Sequence, residues 1–497
     1  MSLSRLHRRT LCCFLCLLSI TCLVLALFQL SPAPKSRPRT GAARHEIFPD
    51  TNLITAQVGS RSKKSFAWNS GERYLAYLPH SGFHNQRIAL ENALTLARIL
   101  NRTLLVPPVR LGNNPISYHN FDDLRRFLIL SGKQGLHHCS NFSPHVSPPP
   151  ECWDYFDYTH VSWDWLVDLS SIAAEQPLFH HETLIYPWLE SPDRDTLTVK
   201  DQTAYDFRYV DYSPARDTLA HPRYLMAYPI STLAASKLPL IQLGSLFGSA
   251  RLHLTDRGNV ATRTAIRERM RFTNVHLRRA STAAVNALGG KDAFLGAHVR
   301  VSNGPFNVLR EQTVRSIWYR LVGCALRSVN ASAGIAEIHE LESLLVPTNG
   351  VLPPPVQEPL VDSVPPTVVP LGGVMPRLLQ VRCTGKAHVE PKFVPLNVPL
   401  FVATDVEDAL VLAPLRAAFP CLILLRDLAE IPEVRMLERL ASADDGVHLG
   451  SFLAPLLDAA IVAWGWAVVG TEGSTFSTYV EELLWQLEHG RQMVERG

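Results

Sequence analysis

Charge is scarce in this chain. Only 19% of the 497 residues are Asp, Glu, Lys or Arg, and 48 basic against 45 acidic residues leave a formal net charge of +3. Such a balance gives no broad basic field to hold a phosphate backbone, so nucleic acid is not an expected partner. Disorder is excluded from the other side, because 46% of the residues are hydrophobic and can build a core. No Gly-x-Ser-x-Gly elbow of an α/β hydrolase is present. The five cysteines beyond the first thirty residues (Cys139, Cys152, Cys324, Cys383, Cys421) show no Cys-x-x-Cys metal spacing.

Long apolar runs are also missing, with one exception. Leu11 to Leu30 is twenty residues without a formal charge, preceded by Arg5, His7, Arg8 and Arg9. About twenty apolar residues span a bilayer core of roughly 30 Å. A cleaved signal peptide is the alternative, but its apolar region usually runs about 7–15 residues and ends at small residues, whereas Phe28-Gln29-Leu30-Ser31-Pro32 follows here. We therefore expect a cytoplasmic tail (1–10), an uncleaved anchor (11–30) and a flexible stem (31–70). Lys35, Arg37 and Arg39 follow the span closely, so counting positive charges does not orient it. Sequons at Asn101, Asn141 and Asn330 are glycosylation candidates compatible with a secretory lumen. In an oxidising lumen Cys139 and Cys152 form the easiest loop to close, with one thiol left over; in the cytosol all would stay reduced.

The remainder reads as two domains, 71–255 and 256–497. Tyr74 to Leu78 has the apolar character of a strand. Ile88 to Asn101 places Glu91, Thr95 and Arg98 on one narrow polar stripe of a helix, and Thr103 to Val106 is a second strand: a βαβ unit. Residues 109–245 are irregular and aromatic, and few elements can be placed there. Helical spacing returns over 260–288, before a strand at Phe294 to Arg300. Nine of the 36 prolines fall within 347–376, which marks an irregular, exposed insertion, taken as 347–395. Strands at Leu400–Thr404, Leu422–Leu425 and Ala467–Gly470 alternate with helices at Val406–Ala418, Leu453–Ala463 and Ser477–Gln486. The fold class is therefore α/β with doubly wound parallel sheets, whose ligands sit beyond the carboxyl ends of the strands.

Four polar motifs fall at such ends. Gly82-Phe83-His84-Asn85-Gln86-Arg87 joins a strand to a helix, where glycine and free N–H groups suit an anion or serve an ordinary connection. His298-Val299-Arg300 puts His and Arg on one face of a strand, able to grip a phosphate or form a structural ion pair. Ala403-Thr404-Asp405 offers a carboxylate that either caps the next helix or accepts from the N1–H and N2 amine of guanine. Gly470-Thr471-Glu472-Gly473-Ser474-Thr475-Phe476-Ser477 opens another helix with hydroxyls that suit a diphosphate.

In their order these motifs resemble the GDP-fucose protein O-fucosyltransferase family. Arg73 to Pro108, with Gly-x-x-Asn-Gln-Arg, Leu90-Glu91-Asn92-Ala93 and Asn101-Arg102-Thr103-Leu104, is similar to its N-terminal motif. His298-Val299-Arg300 resembles its His-x-Arg, Ala403-Thr404-Asp405 its Thr-Asp, and Ser474-Thr475-Phe476 its Ser/Thr-Ser/Thr-Phe. The resemblance implies a GT-B fold of two Rossmann-like domains facing a nucleotide-sugar cleft, the first on the acceptor side. It implies a lumenal type II membrane enzyme, of the Golgi or alternatively the endoplasmic reticulum, using GDP-fucose and no metal or other cofactor. Residue by residue, Gly82, Phe83, His84 and Asn85 would line the cleft, with Asn85 at the reacting sugar or its phosphate. His298, Val299 and Arg300 would hold the diphosphate, with Arg300 the residue most tied to catalysis. Asp405 would read guanine, and Ser474, Thr475 and Phe476 would wrap the phosphates. Ser81 stands where some members carry a candidate base, which leaves His80, His84 or a leaving phosphate oxygen to take the acceptor's proton. Ser302, Asn303 and Gly304 stand where an acid often follows His-x-Arg. The acceptor is then a protein Ser/Thr or a glycan; a noncatalytic GDP-sugar or glycan-binding protein is the alternative of a different class.

Overall fold

The computed structural model describes residues 54–59, 71–140, 147–184, 195–212, 223–302, 304–327, 335–345, 383–406, 408 and 410–495. The expected tail and anchor (1–30), Asn141, Asn330 and most of the proline-rich stretch lie outside them. Among the described residues no helix is long and apolar enough to cross a membrane.

Two parallel sheets organise the chain. The first has five strands in the order Leu178–His180, Thr103–Val106, Tyr74–Ala76, Leu240–Leu243 and Thr196–Val199. The second has four, ordered Leu422–Ile423, Leu400–Thr404, Leu295–Val299 and Ala467–Gly470. Their central strands are buried along nearly all of their length. That is why they read as continuous apolar runs rather than as alternation.

The first crossover is the helix Phe83–Ile99, buried from Gln86 to Ala97. Its polar stripe does not face water as an amphipathic reading implies. Glu91 is buried, pairs with Arg87 one turn earlier and lies 4.0 Å from Nε of Arg267. The Thr95 hydroxyl donates back to the Glu91 carbonyl (2.8 Å), and only Arg98 is exposed, where it meets Glu175. The stripe faces the helix Arg257–Glu268, which packs against it. Asn101, exposed just past the helix end, adopts φ +48°, the left-handed turn that asparagine tolerates.

The structure corrects several boundaries. Residues 54–59 are not free stem: Ile54–Ala56 pairs in parallel with Leu440–Ser442, and Val58 is fully buried. The 260–288 segment is two helices, Arg257–Glu268 and Val275–Ala287, because Asn274 caps the second by accepting from the N–H groups of His276 and Leu277. The helix expected over Val406–Ala418 is confined to Ala413–Ala418. Thr404 and Asp405 are instead engaged by the neighbouring loop, described below. Of the expected insertion (347–395) only 383–395 lie among the described residues; most of 384–392 is exposed, but a Cys383–Cys421 disulfide ties the segment down and Asn397 brackets both backbone groups of His388. The Ser477–Gln486 helix runs as Thr475–Tyr479, a wider turn at Val480–Leu484, and Trp485–Glu488.

One apolar cluster runs from Val58 through the Phe83–Ile99 helix to Phe401, Leu453 and Val468. A second fills the opposite face of the second sheet under the helix Arg310–Arg327, around Trp318 and Val402. Beside the first sheet lies a short antiparallel strand pair, Val109–Gly112 against Tyr158–Val161. Gly112 (φ +150°) sits opposite Tyr158, where a Cβ would lie 2.3 Å from the Asp157 carbonyl.

Candidate functional site

The helix Phe83–Ile99 begins inside the first motif, with Gly82 at its N-cap. Gly82 itself has ordinary φ (−71°), and a Cβ there would meet nothing. The strained residue is Ser81, at φ +64°. Buried Gln86 holds this turn: its amide donates to the carbonyls of Ser81 (3.0 Å) and Arg110 (2.8 Å) and accepts from the Arg110 N–H (2.9 Å). His80 bonds the hydroxyls of Ser81 (2.8 Å) and Ser245 (2.7 Å). Burial, and then the Arg251 charge, lower its pKa to about 4. Both of its ring nitrogens are thus engaged within the fold, away from His84 although the two stand four residues apart.

His84 differs. Both its nitrogens are covered and have no partner among the described residues. Its ring lies 5.0 Å from Phe476 and 5.1 Å from Tyr479, centroid to centroid. Burial, followed by the charges of Arg87, His298 and Arg300, holds its pKa well below the usual imidazole value. A neutral His84 suits hydrogen bonding to a ligand better than it suits proton abstraction, since a general base works best with a pKa near the working pH.

The second motif ends the strand Leu295–Val299. His298 is buried, bonds the Ser477 hydroxyl through Nδ1 (2.7 Å) and stacks on Phe476 at 4.0 Å with an 18° interplanar angle. Burial, and then Arg300, lower its pKa to about 3. The Arg300 guanidinium lies 4.9 Å from the Phe306 ring centroid. Val299 does not join them: alternation turns its side chain into the apolar cluster of Trp318 and Val402.

Asp405 neither caps the next helix nor stands alone. It is exposed, and its carboxylate accepts from the N–H groups of Val301 (3.0 Å) and Ser302 (3.3 Å). It therefore fastens the loop that follows Arg300. Thr471 does the same from the other side, its hydroxyl accepting from the Arg300 N–H (2.9 Å) and donating to the His298 carbonyl (3.1 Å).

In the fourth motif Ser474 is the N-cap, accepting from the Ser477 N–H (3.5 Å). Thr475 donates its hydroxyl to Oδ1 of Asn85 (3.1 Å), so the first and fourth motifs touch across 390 positions of sequence. Gly470 is required here, because a Cβ would stand 2.4 Å from Cβ of Ser477. The Gly470 N–H donates to Glu481 (2.8 Å), which also pairs with Arg320 (3.1 Å). Arg87 lies 4.2 Å over the Tyr479 ring.

The structure thus brings together Phe83, His84, Asn85, His298, Thr475 and Phe476. Arg300 lies within electrostatic reach of His84 and His298. Ser474 and Asp405 act through backbone groups beside this cluster. Gln86 and Tyr479 have no role in the sequence motifs, and Thr471 and Ser477 figure there only among the hydroxyls suited to a diphosphate; their bonds to the Arg300 N–H and to His298 appear only in the fold. Cys139 and Cys152 are joined by a disulfide and Cys324 is a buried free thiol. Because both sulfurs are in that bond, the His138, Cys139 and Cys152 group offers no thiolate for a metal.

No known family profile matches the chain. A curated protein similar to it is O-fucosyltransferase 30 of Arabidopsis thaliana, 56% identical over 39 residues. That stretch is 8% of this chain and 8% of the relative's length. The fold comparison returns crystal structures of POFUT1. In complex with GDP it is 11% identical over 83% of this chain and 95% of that one, with a TM-score of 0.34. In its apo form the figures are 11%, 86%, 97% and 0.34. In complex with GDP-fucose they are 11%, 83%, 95% and 0.32.

Proposed function

We propose that this chain is a glycosyltransferase that moves fucose from GDP-fucose to a hydroxyl, with inversion at the anomeric carbon and without a metal. The observation that carries the reading is the convergence of distant motifs: Asn85 bonded to Thr475, and His84 and His298 both set against Phe476. The short match to an O-fucosyltransferase supports the same reading. We further propose a GT-B arrangement, the first sheet on the acceptor side and the second on the GDP side. Two disulfides support a lumenal head, carried by the apolar segment 11–30 as a type II anchor in the Golgi.

In this reading the acceptor oxygen attacks the anomeric carbon as its bond to the diphosphate breaks. Negative charge develops on the leaving phosphate oxygens, and Arg300, held in place by Thr471 and Asp405 on its flanking backbone, stabilises it. The acceptor's proton passes to a phosphate oxygen, because His80 is engaged on both sides and His84 is a weak base.

The test is thermal unfolding of the full chain with GDP, GDP-fucose, UDP-sugars and ADP-sugars. A ligand at a hundredfold excess over its Kd adds about 2.7 kcal/mol to the native state. A shift confined to guanine nucleotides is expected, together with GDP release when acceptors are added. No shift with any nucleotide, in folded protein, would overturn the reading.

A further inference from the structure

The antiparallel strand pair beside the first motif carries three polar side chains in one row, and the site described above uses none of them. Arg110 and His160 are register partners on adjacent antiparallel strands, so their side chains share a face. Ser162 lies two residues beyond His160 on backbone that is still extended (φ −69°, ψ 143°), which returns it to that face. Nε2 of His160 and Oγ of Ser162 are covered and have no partner among the described residues, and so are Nε and Nη1 of Arg110, whose Nη2 donates to the Asn114 carbonyl (3.2 Å) and whose guanidinium lies 3.4 Å over the Tyr158 ring. Ser162 is 5% exposed. A buried donor or acceptor left unmatched costs about 1–3 kcal/mol, and unmatched atoms on three neighbouring side chains of one face do not stabilise a strand pair.

Both ends of the row open onto cavities. Arg110 lines one of about 180 Å³ together with Gly82, His84 and Asn113, so the row begins at the first motif. His160 and Ser162 line another of about 320 Å³ with Gln134 and Asp444, within the range of about 300–1,000 Å³ usual for small-ligand sites. The larger cavity does not favour an anion. The Lys133 charge is matched by Asp445 at 2.6 Å, and Asp444 and Glu182 add further carboxylates. Burial, then the charges of Arg110 and Lys133, lower the His160 pKa to about 3, so the ring is neutral and one of its nitrogens donates while the other accepts. Arg110 offers donors only, whereas Ser162 and neutral His160 can each donate or accept. Hydroxyl groups match all three, because each hydroxyl both donates and accepts.

We propose that this face of the strand pair binds a neutral polyhydroxylated ligand, a glycan, and that a hydroxyl of this glycan is the acceptor of the transfer. The binding site stands on the row itself; only the acceptor role rests on the fucosyl-transfer reading.

The test is binding of the full chain to immobilised lactose, N-acetyllactosamine, chitotriose and xylotriose, with sialyllactose and an acidic peptide as charged probes. Ser162→Ala and Arg110→Met are compared with the unaltered chain, and GDP-induced thermal shifts are recorded for all three. We expect at least one neutral oligosaccharide to bind, with affinity at least tenfold weaker in both variants. Ser162→Ala, which removes an unmatched hydroxyl, should unfold no earlier than the unaltered chain, and the GDP shift should be unchanged. No neutral oligosaccharide bound, binding unaltered in both variants, or preference for sialyllactose or the peptide would each overturn the site. Glycan binding without any GDP shift would keep the site and overturn its acceptor role.

Discussion

At the carboxyl ends of the second sheet's strands the polar groups answer one another, whereas along one face of the antiparallel strand pair in the first half several atoms do not. His298 has Ser477, the Arg300 N–H has Thr471, the loop after Arg300 has Asp405, and the Gly470 N–H has Glu481. Arg110, His160, Ser162 and neighbouring His84 instead keep covered atoms without partners. The difference separates two ways of meeting a ligand. A network satisfied by its own chain is fixed before the ligand arrives and can aim Arg300 without reorganising. A face with unmatched atoms gains most when a ligand supplies the missing partners, and until then it lowers stability.

The sharpest break in this contrast comes from Arg300→Ala. Turnover of GDP-fucose should fall about 10²–10³-fold with little change in the unfolding temperature, and steady-state rates check it; wild-type turnover would remove Arg300 from the leaving-group role. Next is Gly470→Ala, whose new Cβ crowds Ser477 and so displaces the partner of His298. Overpacking of this kind costs about 1–3 kcal/mol, which denaturant unfolding would show.

Asp405→Asn sharpens the contrast more finely. It should lower stability by about 1 kcal/mol, because one carbonyl oxygen replaces a carboxylate that accepts from two N–H groups. Binding of GDP against inosine diphosphate, which lacks the 2-amine, then separates its two roles. If Asp405 reads guanine, the preference for GDP closes in the variant; if it only holds the loop, both nucleotides weaken together.

A separate break is one of pH. Burial raises the Asp458 carboxyl to about 8, with Oδ1 unmatched among the described residues. Its native form keeps a proton that the unfolded chain releases near pH 4, so its contribution is full in acid and is lost as pH rises toward 8. His80, at about 4, and His160 and His298, at about 3, act the other way. Their contribution is full above about pH 6.5 and is lost as pH falls toward their native values. Thermal unfolding from about pH 5 to 9 should therefore give a maximum near the ordinary histidine value of about 6.5. Asp458→Asn should remove the alkaline fall and leave the acid fall; an unchanged profile would show that the Asp458 carboxyl is not the source.

The sheet strands were the most legible part of the sequence. Tyr74–Ala76, Thr103–Val106, Leu295–Val299 and Leu400–Thr404 lie where their apolar runs place them, because central parallel strands must be apolar on both faces. Helix limits were less legible. Val406–Ala418 shrank to its last turns because Thr404 and Asp405 bond a loop about a hundred residues away, a competition that local periodicity does not register. The outer strands Leu178–His180 and Thr196–Val199 were missed, since three or four half-buried residues carry too little pattern to stand out among aromatic loops.

What the sequence determined by itself was the α/β alternation and the order of four motifs at strand ends, since apolar runs, turns and helix starts are local properties of a few residues. Which way each side chain points was decided only by the tertiary structure. Val299 turned into the core beside His298, Asp405 turned to a loop amide, and Arg110, His160 and Ser162 came onto one face. Register and partnership depend on residues tens to hundreds of positions apart, and their free energy exists only once both partners are in place.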